Sequence, residues 1–367
     1  MKTHKVTQQQ VAEEAGVTRA TVSYVLTGRA EELSITPEVV KRVERAAARL
    51  GYLPNLAARA LVSGRSRTLG LMLGGNPFWG LIAEGVESAA LDAGYDVLLM
   101  RGQGDAPASG LTHLQQGRVD AVIALGYLSP AAVKAWETAP VPPVVMPFSG
   151  AVALPGVDLD PEPGLVDAVH HLVSLGHRRF AWLEPDDLDQ AGGTDRASLV
   201  AEACKEQGAT LEVVRAGKTR KLSWLPVDEQ IAGWSKTMSG TLESPLRATA
   251  VLCWNDAMAL GLCAWLRERG GRVPEDVSVV GFDDWLAAAA LPPLTTVSFE
   301  FRRIGAEAAR LAMQLAGGTL SAAEARKTVV YVPSRFVARK STGPGEHSRI
   351  VSRKEVLRAL SFLACFR

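Results

Sequence analysis

No run of about twenty apolar residues occurs in this chain, so nothing in it reads as a membrane span, although 47 % of its 367 residues are hydrophobic. The N-terminus, MKTHKVTQQQ, lacks the apolar stretch of a secretion signal, and the cytoplasm is the expected compartment. Cysteine is scarce. Cys204, Cys253, Cys263 and Cys365 show no CxxC spacing and are expected to be reduced and buried. His170, His171 and His177 stand near no Cys or carboxylate cluster with metal spacing, and His177, in LGHRR, reads as a structural residue of a helix-to-strand turn. There is no P-loop, and no GxGxxG follows a strand. The sequence therefore predicts binding without chemistry: no catalytic residue, no metal and no cofactor.

Charge is present but unevenly spread. The net charge is +1, yet residues 1–68 carry +5, residues 339–367 carry +5 and the stretch between them carries −9. A basic head on an acidic body fits a nucleic-acid-binding module joined to a domain that does not itself bind phosphate. A chain of 367 residues suits two or three domains.

The head contains TQQQVAEEAGVTRATVSYVL, Thr7 to Leu26, which reads as two short helices joined by a tight turn. Thr7 is placed to cap the first helix, and Val11, Ala12 and Ala15 fall on its inward face, with Glu13 and Glu14 left to solvent. Gly16 ends that helix, because the turn demands a positive φ. Thr18 is the next N-cap, ahead of Thr21. The second helix starts at Arg19, turns Val22, Val25 and Leu26 inward, and presents Arg19, Ala20, Ser23 and Tyr24 as candidate base readers. Taken alone, the pattern also fits an ordinary helical hairpin within a larger helical domain. Ile35-Thr36-Pro37-Glu38 then supplies a cap, a Pro at the first helical position and an acidic first turn. Val39, Val40, Val43, Ala46, Ala47 and Leu50 follow at helical spacing until Gly51. Three helices in about fifty residues make a small self-contained domain.

Residues 50–73 read LGYLPNLAARALVSGRSRTLGLML. Together with AxxAGVTxATVSxVL in the head, LGYxPNxxAxxL and the RTLGL strand resemble, in order and spacing, the lactose-repressor/galactose-repressor family of bacterial transcription regulators. The resemblance implies a helix-turn-helix DNA-binding domain over 1–54 and a hinge over 55–67. It also implies a two-lobed, periplasmic-binding-protein-like effector and dimerisation domain over 68–342. In that pattern the hinge forms a helix in the minor groove. Asn55 starts the helix, Ala58 allows close approach, Arg59 lies beside the DNA, and Leu61 wedges into the central base step. A plain linker is the alternative reading. By itself the segment is too short to stay helical in water.

From Thr68 onward apolar runs alternate with amphipathic helices. The first series is Leu69–Leu73, helix Phe78–Ala93, Asp96–Met100, a helix near Ser109–Gln116, Ala121–Ala124 and Val144–Met146. The second is helix Pro163–Leu175, Arg179–Leu183, helix Asp195–Gln207, Thr210–Val214, helix Pro226–Met238, Ala250–Cys253, helix Asp256–Arg269 and Ser278–Gly281. Buried strands with crossover helices predict two doubly wound α/β lobes of parallel sheet, with ligands beyond the strands' carboxyl ends. The resemblance assigns lobe 1 to about 68–160 and 297–327, and lobe 2 to about 161–296 and 328–342. Helix Phe301–Ala316 and strand Thr328–Tyr331 thus fall in different lobes, with three crossings between them. Residues 343–367 match nothing in the family core. They read as a tail, or as a short helix bearing Ile350, Val351, Val356, Leu357, Leu360 and Leu363.

The resemblance also marks an effector site. Asn76, Phe78 and Trp79 follow the first strand, in a loop shorter than usual and preceded by Gly74-Gly75. Phe148 stands where many relatives have an acid. Asp195-Arg196 supplies a helix-opening arginine whose fork suits hydroxyls or a carboxylate, although Leu199 and Val200 replace the usual Gly-aromatic pair. Trp224 is a candidate stacking face. In Trp254-Asn255-Asp256, Asp256 is read as the cap of the next helix and Asn255 as facing ligand. In Gly281-Phe282-Asp283-Asp284, Asp283 is the ligand acceptor and Asp284 a cap. Two functions remain: a regulator, probing a pseudo-palindromic double-stranded operator as a homodimer under control of a small molecule, expected to be a sugar, with a purine as rival; or a two-lobed sugar-binding or sugar-processing protein. The N-terminal reader favours the first.

Overall fold

A computed structural model describes residues 6–52, 60, 64–73, 78–101, 107–125, 130–137, 139–146, 154–187, 195–218, 225–241 and 248–345. By internal contacts the chain divides into a helical unit, Met1–Thr68 with Gln115–Asp120, and a larger unit, Leu69–Leu114 with Ala121–Arg367.

In the helical unit, α1 (Gln8–Ala15), α2 (Arg19–Leu26) and α3 (Pro37–Leu50) pack around Val11, Val22 and Val43, each 0 % exposed. The Thr7 hydroxyl accepts the Gln10 amide while the Gln10 side chain returns to the Thr7 amide, so two N–H groups of the first turn are satisfied. Gly16 takes φ 62° and Gly51 φ 65°, the left-handed caps expected of them. An Arg49–Glu14 ion pair joins α3 to α1. The third cap differs from expectation. Thr36 occupies the N-cap position with an extended backbone, but its side chain makes no capping hydrogen bond. Pro37 and Glu38 carry the start of that helix instead.

The larger unit contains two six-stranded sheets. The first is built from β1 (Thr68–Leu73), β2 (Asp96–Arg101), β3 (Ala121–Leu125), β4 (Val144–Met146), β5 (Gly156–Asp160) and β11 (Val329–Pro333), in the order β11-β5-β4-β3-β1-β2. The second has β6 (Arg179–Glu184), β7 (Thr210–Arg215), β8 (Ala250–Cys253), β9 (Ser278–Asp283), β10 (Thr295–Ser298) and β12 (Arg335–Val337), in the order β12-β10-β9-β8-β6-β7. The pairings β1–β3, β3–β4, β4–β5, β5–β11, β6–β7, β6–β8, β8–β9 and β9–β10 are parallel, and β10 with β12 is antiparallel. Central strands covered on both faces must be apolar throughout, and β3, β4 and β8 are buried at every position. The order of strands reverses between β1 and β3, and again between β6 and β8. Such reversals open a crevice at the carboxyl ends, where ligands of these sheets bind.

The helix Phe301–Gly317 closes the first sheet. It packs on the helix Trp79–Asp92 and against β3, β4 and β5. The two helices cross backbone to backbone: a Cβ added at Gly85 would overlap the carbonyl of Arg302, and one added at Gly305 would overlap the carbonyl of Ile82. Strand β11 corrects the expected lobe assignment. It pairs with β5 in the first sheet, from Val329↔Gly156 to Pro333↔Asp160, so it shares a lobe with helix Phe301–Gly317 instead of joining the second. The physical reason is pairing: β5, with its alternating Asp residues, leaves an open parallel edge that this VVYVP strand fills. Three crossings remain, after β5, β10 and β11.

Candidate functional site

The helix-turn-helix presents its outer face from α2. Arg19 and Ala20 are exposed, Tyr24 is 37 % exposed, and Ser23 and Thr21 are half-buried. The Thr18 hydroxyl accepts the Thr21 amide at 3.1 Å and lies 2.9 Å from the Thr21 hydroxyl, which fixes the first turn of α2. Thr7 is engaged in its capping box with Gln10. One neighbour escaped the sequence reading: Arg29 lies 5.9 Å from the Tyr24 ring centre, and its Nε donates to Glu32 at 2.8 Å. Asn55, Ala58, Arg59 and Leu61 lie outside the described residues, as do Asn76, Phe148 and Trp224 of the expected effector site.

The remaining effector candidates gather at carboxyl ends of strands. Arg196 opens the helix Arg196–Glu206, whose N-cap Asp195 accepts the Ser198 amide at 3.0 Å. The Arg196 guanidinium carbon lies 4.0 Å from the ring centres of both Trp254 and Phe282, and 5.2 Å from that of Phe299. Its Nη1 donates to the Trp254 carbonyl at 2.9 Å. Burial pushes this guanidinium down to about 10, opposed by the nearby Asp283 carboxylate. A cation in an aromatic cage keeps one orientation, and its free N–H groups then point in a set direction.

Asp283 ends β9 with φ 96°, in the left-handed region that side chains rarely adopt. Burial holds its carboxyl well above the usual carboxylate range, with Arg196 pulling the other way. Among the described residues no hydrogen bond or ion pair engages that carboxyl.

Two expected roles are corrected. Asn255, not Asp256, is the N-cap of the helix Asp256–Glu268: its backbone is extended and its Oδ1 accepts the Met258 amide at 2.8 Å. Its amide NH2 and the second lone pair of Oδ1 are left for a ligand. Asp256 is instead buried and accepts from Thr296 Oγ1 at 2.7 Å and from the amides of Trp285 and Leu286 at 2.9 and 3.3 Å. Among the described residues Asp284 caps no helix. It accepts Arg339 Nη2 at 2.7 Å, an ion pair between segments far apart in sequence.

Phe78 stacks on Phe301 at 4.2 Å between centroids and meets Trp285 edge-on at 5.7 Å, while Trp79 is 47 % exposed. Trp285, Phe299, Phe301 and Arg339 were not foreseen: Trp285 comes from the turn after Asp283, Phe299 and Phe301 from the segment after β10, and Arg339 from the segment after β12. Glu184, at the end of β6, is engaged by Trp182 Nε1 at 2.8 Å and Arg215 Nε at 3.0 Å. His177, in the turn before β6, is buried, its ring within 2.8 Å of Thr249 Oγ1 and 3.0 Å of Ser278 Oγ. Among the described residues no group of His, Cys, Asp and Glu is arranged to hold a metal, and no helix is long and apolar enough to cross a membrane.

Residues 7–55 match the model of bacterial regulatory proteins of the lacI family, and residues 169–342 match that of a periplasmic binding protein-like domain. The chain is 31 % identical over 352 residues to the HTH-type transcriptional regulator DegA of Bacillus subtilis (strain 168), covering 93 % of this chain and 99 % of that one. Among solved structures it is similar to the Lac repressor dimer bound to operator and the anti-inducer ONPF, at 27 % identity and TM-score 0.69, covering 92 % of this chain and 99 % of that one. It is also similar to a complex of the transcriptional regulator CelR with cellobiose, at 27 % identity and TM-score 0.59, covering 92 % of this chain and 100 % of that one. With its reader helix, its two parallel-sheet lobes and these relatives, the chain belongs to the lacI family of bacterial transcription regulators.

Proposed function

We propose that this regulator is a cytoplasmic, non-enzymatic repressor that grips a pseudo-palindromic operator as a homodimer and is released or engaged by a sugar bound at Arg196 and Asp283. The carrying observation is the pairing of a caged guanidinium, which supplies only donors, with a carboxyl unengaged among the described residues, which in its ionised form supplies only acceptors. Vicinal hydroxyls both donate and accept, so they satisfy the two together. The Asn255 NH2 adds a donor. A flat ring stacked on Phe78 would find one face already covered by Phe301. The neighbour solved with cellobiose supports the same ligand class.

Calorimetry of the full-length protein against a panel of mono- and disaccharides, repeated with Asp283→Asn, tests the reading. The substitution keeps the shape and removes the charge, so affinity should fall by on the order of 1–3 kcal/mol. Operator binding without sugar should persist. Unchanged sugar affinity in the variant would remove Asp283 from the site.

A further inference from the structure

The turn that follows β9 rests on one buried carboxylate. The oxygens of Asp256 take three donors: Oδ1 accepts the Thr296 hydroxyl at 2.7 Å, and Oδ2 accepts the amides of Trp285 at 2.9 Å and Leu286 at 3.3 Å. A Cβ at Gly281 would overlap Oδ1, so glycine at that point of β9 lets the carboxylate lie against the strand. The chain above takes two successive positive φ angles, 96° at Asp283 and 59° at Asp284. Residues with side chains keep such angles only where the surroundings over-determine them. Arg339 holds the outer side of the turn, donating to Asp284 at 2.7 Å and to the Leu294 carbonyl at 2.9 Å. Trp285 then projects to meet Phe78 edge-on, at 88° between ring planes. Phe78 belongs to the first-sheet lobe and Trp285 to the second.

We propose that Asp256 is the positioning residue of this site: by tethering the amides of Trp285 and Leu286 it aims the Asp283 carboxyl at the effector and seats Trp285 against Phe78. One buried group thereby sets both a ligand acceptor and an aromatic contact between lobes. The ligand half of this inference rests on the reading of Asp283 given above; the tether does not. Burial raises the Asp256 carboxyl to about 6, against the pull of its three hydrogen bonds. The charged and titratable groups around it are Asp283 and Asp284 on the turn, Arg339 paired to Asp284, Arg196 beside Asp283, and Cys253 and Cys263, whose thiols burial pushes up. Ionised, Asp256 accepts all three donors. Protonated, it loses an acceptor and weakens the tether.

The full-length protein labelled with 5-fluorotryptophan provides the test, with the Trp285 resonance assigned by Trp285→Phe. In the wild type that resonance should shift with a midpoint near pH 6. Asp256→Asn keeps an oxygen for the two amides but cannot titrate, so its resonance should stay near the low-pH position at every pH. Asp256→Ala should displace or broaden it. Calorimetry with cellobiose and D-ribose forms a second arm: whichever sugar binds the wild type should bind Asp256→Ala about tenfold more weakly, with Asn restoring affinity to within about threefold. A Trp285 resonance that titrates unchanged in Asp256→Asn, or that sits at the wild-type position in Asp256→Ala, overturns the tether. Should the Ala variant not fold, or neither sugar bind, the Asn titration decides alone. Asp283→Asn separates the two readings: sugar affinity unchanged there, with Trp285 still responding to Asp256, overturns the effector assignment and leaves the tether standing.

Discussion

Arg196 engages a single tryptophan twice: its guanidinium carbon lies 4.0 Å from the Trp254 ring centre, and its Nη1 donates to the Trp254 backbone carbonyl at 2.9 Å. Phe282 covers a further side at 4.0 Å. The cage depends on a planar cation, so lysine is no substitute. Arg196→Lys should keep the fold and basal operator binding while weakening the sugar by on the order of 2 kcal/mol, read by calorimetry on the full chain. Wild-type affinity in that variant would show that charge alone suffices and that the planar cage is incidental.

Operator reading provides a second test. Arg19 is exposed at the first position of α2 and can reach a base edge, a contact worth on the order of 1–3 kcal/mol. Arg19→Ala should therefore relax preference at one symmetric pair of operator positions in a selection from random DNA. A binding profile identical to the wild type would remove Arg19 from the readers.

The hinge is tested through Leu61. Its motif match predicts a minor-groove wedge, and Leu61→Ala should then weaken operator binding by several kcal/mol and reduce DNA bending. Unaltered bending, measured by gel phasing or fluorescence transfer between duplex ends, would leave 55–67 a plain linker.

Stability should carry the signature of Asp256. Its folded pKa stands above the ordinary 3.8, at about 6, so the folded state holds the proton more tightly than the unfolded chain. The sign follows: this contribution is fully present below pH 3.8 and is lost as pH rises to about 6, a change of about 3 kcal/mol. Asp283, raised in the same direction, slopes the same way. Denaturant unfolding of the wild type and Asp256→Asn at pH 4 and pH 8 isolates the Asp256 share, because the variant lacks it. Parallel stability profiles would contradict the burial of an ionised carboxyl.

Gly85→Ala and Gly305→Ala should each destabilise the larger unit by at least 1–3 kcal/mol, since either Cβ meets backbone that cannot rotate away. Gly80→Ala, where nothing lies within 4 Å of the added Cβ, is the matched control and should be neutral or slightly stabilising. Equal melting temperatures for Gly85→Ala and Gly80→Ala would refute the close crossing.

Much of this was legible in local pattern. Thr7, Gly16 and Thr18 announce helix ends because caps and left-handed turns depend on adjacent residues, and the apolar runs of β3 and β8 announce buried parallel strands. What was misread depends on partners distant in sequence. In Asn255-Asp256 either side chain has the chemistry of a cap; the buried Thr296 and the amides of Trp285 and Leu286 claim Asp256, leaving the cap to Asn255. Strand β11 carries no mark of the sheet it joins, since an exposed VVYVP suits either edge, and only the vacancy beside β5 decides. Trp285 and Phe301 come within ring contact of Phe78 through turns whose geometry no spacing rule encodes.

The glycine crossing between helices Trp79–Asp92 and Phe301–Gly317 also orders events in time. Strands β6 to β10 of the second sheet come from one unbroken stretch of chain, with only the edge strand β12 arriving later. The first sheet, in contrast, waits for a helix and a strand that are synthesised after nearly all of the second. On a ribosome the second lobe is therefore expected to condense first, while the groove around Gly85 waits for a helix more than two hundred residues later in the chain. Nascent chains halted before Phe301 should be the ones that chaperones recognise.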